Sequence, residues 1–355
     1  MSMPTLVVIH GRDRRWQDQA ALARDWDLAL RAALRAAGAP FADSVAIRFV
    51  DYGAAWRAFE RTDDVAPVQA EFATELLERT GGGAAATDWS MWSGVGRLIE
   101  TLGQRADIDD AVVLELFMTD LAEYFGDEER RMMANLAVAN EAGTAEGDVI
   151  LLGHGVGSIA SYVALATAGT DLARVRGLIT FGSPLAMNTV RNRLTEIAPG
   201  APFPEAPRRW LNVFDERDFA TLVPRLEPIF QAPDGRRVED EAVPDPSSSA
   251  GRGRAHDAFR YLGSSEFAAS VRRLVGDVAP ATTTPSAAGP VAAPAHQPPA
   301  DVAEPTMAEP PSPPTRSWSP PSAPGAAPPW VDGIGAPWLD GESPPWIDPD
   351  EDKEK

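Results

Sequence analysis

The chain reads as an α/β protein: a mostly parallel central sheet with helices on both faces. Two observations predict this. Short β-rich runs alternate with long amphipathic stretches, the pattern of strands joined by helical crossovers. The runs are mostly apolar throughout rather than alternating, as strands covered on both faces must be. Strands are expected at 6–10, 45–51, 148–152, 177–181 and 210–214. A helix is expected over 15–37, where Ala21, Leu22, Trp26, Leu28, Leu30 and Leu34 form a stripe that Gly38 ends. The pattern predicts a second long helix over 121–142, a small-residue helix over 158–167 and a closing helix over 267–274. The stretch 52–111, with Trp56, Trp89, Met91 and Trp92, is less regular. It reads as a cap over a pocket or as packing on the sheet edge, the latter being the commoner arrangement.

Composition changes abruptly near Ala279, where Pro, Ala, Ser, Asp and Glu replace the aliphatic residues. Such a segment buries too little apolar surface to offset its ordering entropy. One folded domain is therefore expected over 1–278 and a disordered, acidic Pro/Ala-rich tail over 279–355. The 355 residues contain no Cys, which excludes disulfides and thiolate chemistry and suits a reducing compartment. Met1-Ser-Met-Pro-Thr leads straight into Leu6-Val-Val-Ile-His10 without a basic and apolar leader. No apolar run reaches the ~18 residues that a membrane span needs. The expectation is a cytoplasmic protein. A net charge of −20 argues against binding nucleic acid or anionic membrane by bulk electrostatics, and favours solubility.

The chemistry concentrates at 150–158, Ile-Leu-Leu-Gly-His-Gly-Val-Gly-Ser. This is a strand, a glycine-rich elbow and the start of a helix. It has the form G-x-S-x-G with Gly155 at the central position, so the residue that would carry a nucleophilic oxygen has none. Acyl transfer needs a nucleophile, a base, an acid that orients the base, and N–H donors for the oxyanion. Matching residues follow in the order elbow, acid, histidine. Asp215 and Asp218 lie just past the strand at 210–214, and His256 precedes the closing helix. His10-Gly11-Arg12 follows the first strand, and Leu178-Ile-Thr-Phe-Gly-Ser-Pro-Leu185 follows the elbow helix.

On these motifs, with Asp120 and Tyr124 ahead of the elbow strand, the whole folded domain resembles bacterial α/β-hydrolases of the lipase/esterase-like kind. The resemblance implies an α/β-hydrolase fold. It implies His256 as general base, Asp218 as its orienting acid with Asp215 as the second candidate, and the backbone N–H groups of Arg12 and Val156 as the oxyanion hole. Gly155 is the departure: glycine takes the strained elbow conformation at little steric cost, so the fold survives while the nucleophile is lost. Ser158 lies one helical turn further on, and Ser183 reads as a turn residue, so neither replaces it. His10 and His154 read as structural and His296 as an inert tail residue. No cofactor is implied, and no spacing suggests a metal.

Three functions follow as expectations. The first is a pseudo-hydrolase that serves as a binding or adaptor protein. The second is a carboxylic-ester hydrolase whose serine at 155 was replaced by glycine. In either, water activated by His256 supports at most a remnant of about 10³–10⁴-fold over water. The third is a nucleotide-binding α/β domain, since Gly153-x-Gly155-x-Gly157-Ser158 approaches a dinucleotide loop, with Asp171 downstream. That loop is mid-chain, and no Walker lysine follows it. The tail carries Pro-Trp-aliphatic-Asp three times, eight residues apart: Trp330 and Asp332, Trp338 and Asp340, Trp346 and Asp348. Each Trp is expected to anchor in an apolar pocket of a protein partner, and each Asp to meet a basic rim. The plain alternative is low-complexity expansion. An apolar acyl ligand is expected in the vestigial pocket if Trp89–Trp92 line it.

Overall fold

Six parallel strands form one sheet in the computed structural model of the chain. They are β1 (Thr5–Ile9), β2 (Ala46–Val50), β3 (Val149–His154), β4 (Val175–Phe181), β5 (Arg209–Phe214) and β6 (Val238–Ala242). Their spatial order is β2-β1-β3-β4-β5-β6, with every neighbouring pair parallel. The structure describes residues 3–10, 19–53, 56, 65–80, 119–200, 203–218, 221, 224–244 and 256–278. The chain divides into two units, Met1–Ser286 and Ala287–Lys355, and every described residue belongs to the first. The tail, its Trp-Asp repeats and the stretch 81–118 lie outside the described residues.

The apolar strands are buried on both sides because helices cover both. Side chains alternate across a strand, so successive residues enter different cores. Leu6, Val8, Ile150, Leu152, Ile179, Phe181, Leu211 and Val213 enter one core. There they meet Leu22, Trp26, Leu30 and Leu34 of α1 (Gln19–Ala36), Tyr261 and Leu262 of α7 (Ala258–Leu262), and Phe267 and Val271 of α8 (Ser265–Val278). Val7, Ile9, Val149, Leu151, Leu178 and Trp210 enter the other. That core is closed by α2 (Ala66–Thr80), α3 (Leu121–Gly126), α4 (Glu128–Thr144), α5 (Val156–Thr167) and α6 (Asn188–Ile197).

Several sequence expectations need correction. The helix predicted over 121–142 is two helices. Asp127 interrupts it in an extended conformation (φ −119°, ψ 106°), and its carboxylate accepts the Arg130 N–H at 3.0 Å. A side-chain acceptor satisfies a first-turn donor and restarts the helix, which apolar periodicity does not register. Leu28 is 64% exposed and so leaves the α1 stripe. Three helices, α2, α6 and the short α7, and the strand β6 were not predicted. β6 reads Val-Glu-Asp-Glu-Ala, too charged to signal a strand, but it is the sheet edge. Its charges are partnered: Glu239 takes Arg209 at 2.7 Å, and Asp240 accepts from the Asn212 amide at 2.9 Å and the Leu226 N–H at 3.0 Å. Within 52–111, Tyr52, Trp56, and Val68, Phe72 and Leu76 of α2 are buried in the core, and 81–111 lies outside the described residues. No helix among the described residues is long and apolar enough to cross a membrane.

Glu75 ties α2 to α6. Its carboxylate accepts the N–H groups of Asn188 (2.8 Å) and Thr189 (2.7 Å) at the α6 N-terminus and pairs with Arg79 at 3.1 Å. Burial pushes its pKa up, but the two backbone donors and Arg79 outweigh burial and hold it below the ordinary 4.5. A depressed carboxylate pKa stabilises the fold above the unfolded-state pKa, and that contribution disappears as pH falls through the folded value. Glu75→Gln is expected to cost about 1–3 kcal/mol at pH 7. The penalty should shrink once the pH falls below the unfolded-state carboxylate value of about 4.3. Urea unfolding of both proteins across this range checks it, and a pH-independent penalty contradicts it.

Candidate functional site at the β3–α5 elbow

The strand order creates the site's location. The chain steps outward from β1 to β2, then returns past β1 to lay down β3. The chain therefore leaves β1 and β3 toward opposite edges of the sheet, which makes this a switch point of the kind at which open α/β sheets bind ligands. Gly155 sits at this point, between β3 and α5, with φ 53° and ψ −123°. That conformation is open to glycine and costs other residues about 1–3 kcal/mol.

The flanking glycines are required by contact. A Cβ on Gly157 would lie 2.5 Å from the Ile9 carbonyl oxygen and 2.8 Å from that of His10. A Cβ on Gly153 would lie 2.8 Å from both the Gly157 carbonyl oxygen and the Ser158 Cα. The elbow thus packs backbone on backbone against the end of β1. Val156 opens α5, where a first-turn N–H has no acceptor within the helix. Arg12, the other expected oxyanion donor, lies outside the described residues.

Asp218 and His256 come together. His256 Nδ1 lies 3.0 Å from Asp218 Oδ2, both side chains being buried. A carboxylate only accepts, so Nδ1 carries the proton; in a neutral ring of this tautomer Nε2 offers the lone pair that a general base needs. Asp215 is engaged elsewhere, by Arg217 at 3.1 Å and by Arg260. Of the two acids, Asp218 is therefore the one facing His256. Its turn is held by the Thr221 hydroxyl, which donates to the Asp218 carbonyl at 2.8 Å. His154, next to Gly155, donates from Nε2 to the His256 carbonyl at 3.1 Å, and the two rings lie 4.7 Å apart. The elbow and the histidine segment are thereby joined directly.

Sequence reasoning missed two members of this cluster. Tyr261 donates its hydroxyl hydrogen to Asp218 Oδ2 at 2.6 Å. Burial, and then the Asp218 charge, push its pKa well above the ordinary value, so it stays protonated. Gly182 follows β4 at φ 53°, where a Cβ would come within 3.0 Å of His154 Nε2 and 3.2 Å of Asp218 Oδ2. The signal for Tyr261 was its place five residues after His256. The signal for Gly182 was the Thr-Phe-Gly-Ser-Pro run.

The other hydroxyls point away from such a role. Ser158 Oγ donates to the Gly155 carbonyl at 2.5 Å and meets Ser183 Oγ at 2.7 Å, both serines being buried. Ser183 caps the short turn Pro184–Ala186. His10 stacks against Phe49 and Tyr52, with ring centroids 5.4 Å and 5.0 Å away. Among the described residues, no group of three or more metal-ligating side chains is placed to hold an ion. A groove of about 1220 Å³ between α4, α5 and α6, walled by Met132, Leu136 and Ile197, contains none of Gly155, Asp218 or His256.

The contact argument separates two substitutions. Gly157→Ala, which drives a methyl into two carbonyl oxygens, is expected to cost at least about 3 kcal/mol or to prevent folding. Gly155→Ala, penalised by φ, is expected to cost about 1–3 kcal/mol. Urea denaturation of the two variants checks this, and equal losses contradict it.

No protein-family model matches the chain, and no curated protein matches it.

Proposed function

We propose that this is an α/β-hydrolase-fold protein of serine esterase or lipase ancestry that has lost its nucleophile and acts as a binding or adaptor protein. The observation that carries the reading is the conformation at position 155. A central residue at φ 53° and ψ −123°, between two glycines that contact requires, on a strand-to-helix turn at the sheet's switch point, is the setting in which such enzymes hold a nucleophilic serine. Here that residue has no side chain. Asp218 and His256 supply the remaining acid and base, in the chain order and hydrogen-bonded arrangement the mechanism needs. Without an attacking oxygen they do not form an acyl-enzyme. Function then falls to binding, for which the Trp330, Trp338 and Trp346 repeats provide regularly spaced anchors.

A second reading is a carboxylic-ester hydrolase whose serine at 155 was replaced. The buried, hydrogen-bonded Asp218–His256 pair favours it, because a site released from catalysis has no need to keep buried ionisable groups. A nucleotide-binding reading fits less well. The glycine-rich turn follows the third strand in the chain, and Asp218 and His256 have no role in it.

Gly155→Ser tests the shared premise. It is expected to raise hydrolysis of short-chain p-nitrophenyl esters by about 10³-fold or more and to confer fluorophosphonate labelling, both lost with His256→Ala. Failure of a folded Gly155→Ser variant to do either contradicts the esterase ancestry. The adaptor role is tested separately. Replacing Trp330, Trp338 and Trp346 with Ala is expected to abolish recovery of a stoichiometric protein partner while leaving the thermal melt of the folded domain unchanged. Undiminished recovery contradicts it.

A further inference from the structure

We propose that Tyr261 is a positioning residue for the Asp218–His256 pair: its hydroxyl holds the carboxylate oxygen that faces His256 and limits how strongly that oxygen draws on the imidazole N–H. The proposal rests on reading Asp218 and His256 as an acid–base pair. Two donors converge on one atom, Asp218 Oδ2: the Tyr261 hydroxyl at 2.6 Å and His256 Nδ1 at 3.0 Å. The Tyr261 oxygen in turn accepts the Asp215 backbone N–H at 3.2 Å. The hydroxyl has a single hydrogen. With the Asp215 N–H on its lone pair, that hydrogen is directed to Asp218.

The result is a chain of bonds from the Asp215 amide through the Tyr261 hydroxyl to the Asp218 carboxylate and the His256 ring. A hydroxyl that accepts a hydrogen bond is the stronger donor for it. Donation to the carboxylate stabilises its charged form and lowers its basicity. The two donors draw on the same oxygen, so the stronger Tyr261's bond, the weaker the pull on His256 Nδ1–H. The site excludes a substitute. Tyr261 is 1% exposed and Asp218 2%, so bulk water does not take the hydroxyl's place. The neighbouring Arg260 binds Asp215 while Tyr261 binds Asp218. Consecutive residues of α7 thus sort the two acids of the Asp215–Asp218 turn, one to a guanidinium and one to the histidine.

Proton NMR of the full chain reads the bond directly. An imidazole N–H bonded to a carboxylate resonates far downfield of the amide protons, and His256→Asn assigns it by removing it. Tyr261→Phe removes the competing donor and is expected to shift this resonance further downfield. Uniform replacement of tyrosine by 3-fluorotyrosine, a more acidic donor of nearly equal size, is expected to shift it upfield. That measurement stands even if the phenylalanine variant does not fold. A resonance that moves in neither case, or moves in the opposite sense, overturns the role of Tyr261. The lack of any downfield resonance that His256→Asn removes overturns the acid–base reading itself.

Discussion

The close backbone approach between the β3–α5 elbow and the end of β1 is the constraint on which the rest of the site depends. Gly157 stands where any Cβ would meet the Ile9 and His10 carbonyl oxygens. Contact at that distance fixes how α5 leaves the sheet and holds the elbow at the crest where the strand order reverses. It also explains why three alternate positions, 153, 155 and 157, are all glycine, for two different reasons. The outer two are glycine because there is no space. The middle one occupies a backbone conformation that resists side chains. The middle position differs from the other two in its positive φ, and a side chain placed there would be held in that conformation.

Around this elbow the polar groups form a connected, largely buried network. His154 bonds the His256 carbonyl, His256 bonds Asp218, Tyr261 bonds Asp218, and Arg260 and Arg217 bond Asp215. In a low-dielectric interior each of these bonds is stronger than in water, and each unmade one would be costly. The network therefore orders the 256–262 segment together with the apolar contacts of Tyr261 and Leu262. Its two acids are not equivalent, though they lie three residues apart on one turn. Asp215 meets cations, and Asp218 meets groups that donate single hydrogen bonds. This difference in partners separates a structural carboxylate from one able to orient an imidazole.

Most of the fold was legible because its strands are buried on both faces. Continuous apolar runs such as Leu6-Val-Val-Ile and Ile150-Leu-Leu can serve only as interior strands in a chain that also contains long amphipathic helices. The failures have local causes. β6 hides its strand character behind Glu239, Asp240 and Glu241, whose charges are tolerable because they sit on an edge with partners from β5, the loop before β6 and α8. Asp127 ends one helix and starts another through a single side-chain bond that hydropathy does not record. α2 carries a readable stripe in Val68, Phe72 and Leu76, but it was merged with its irregular Trp-containing surroundings.

The sequence by itself determined the parallel sheet, the elbow and the glycine at its centre, because these rest on local patterns: apolar runs, glycine spacing and the identity of one residue. Asp218 and His256 were nameable from their order along the chain. Only the tertiary structure shows that Asp218 faces His256 while Asp215 faces Arg260 of the same segment, because each contact depends on where the 256–262 side chains point. It alone brought in Tyr261 and Gly182, whose roles follow from distances to one carboxylate oxygen. Residues 38 and 43 positions apart in the chain meet there because β5 and α7 pack on the same side of the crest. A pattern read along the chain has no access to that proximity.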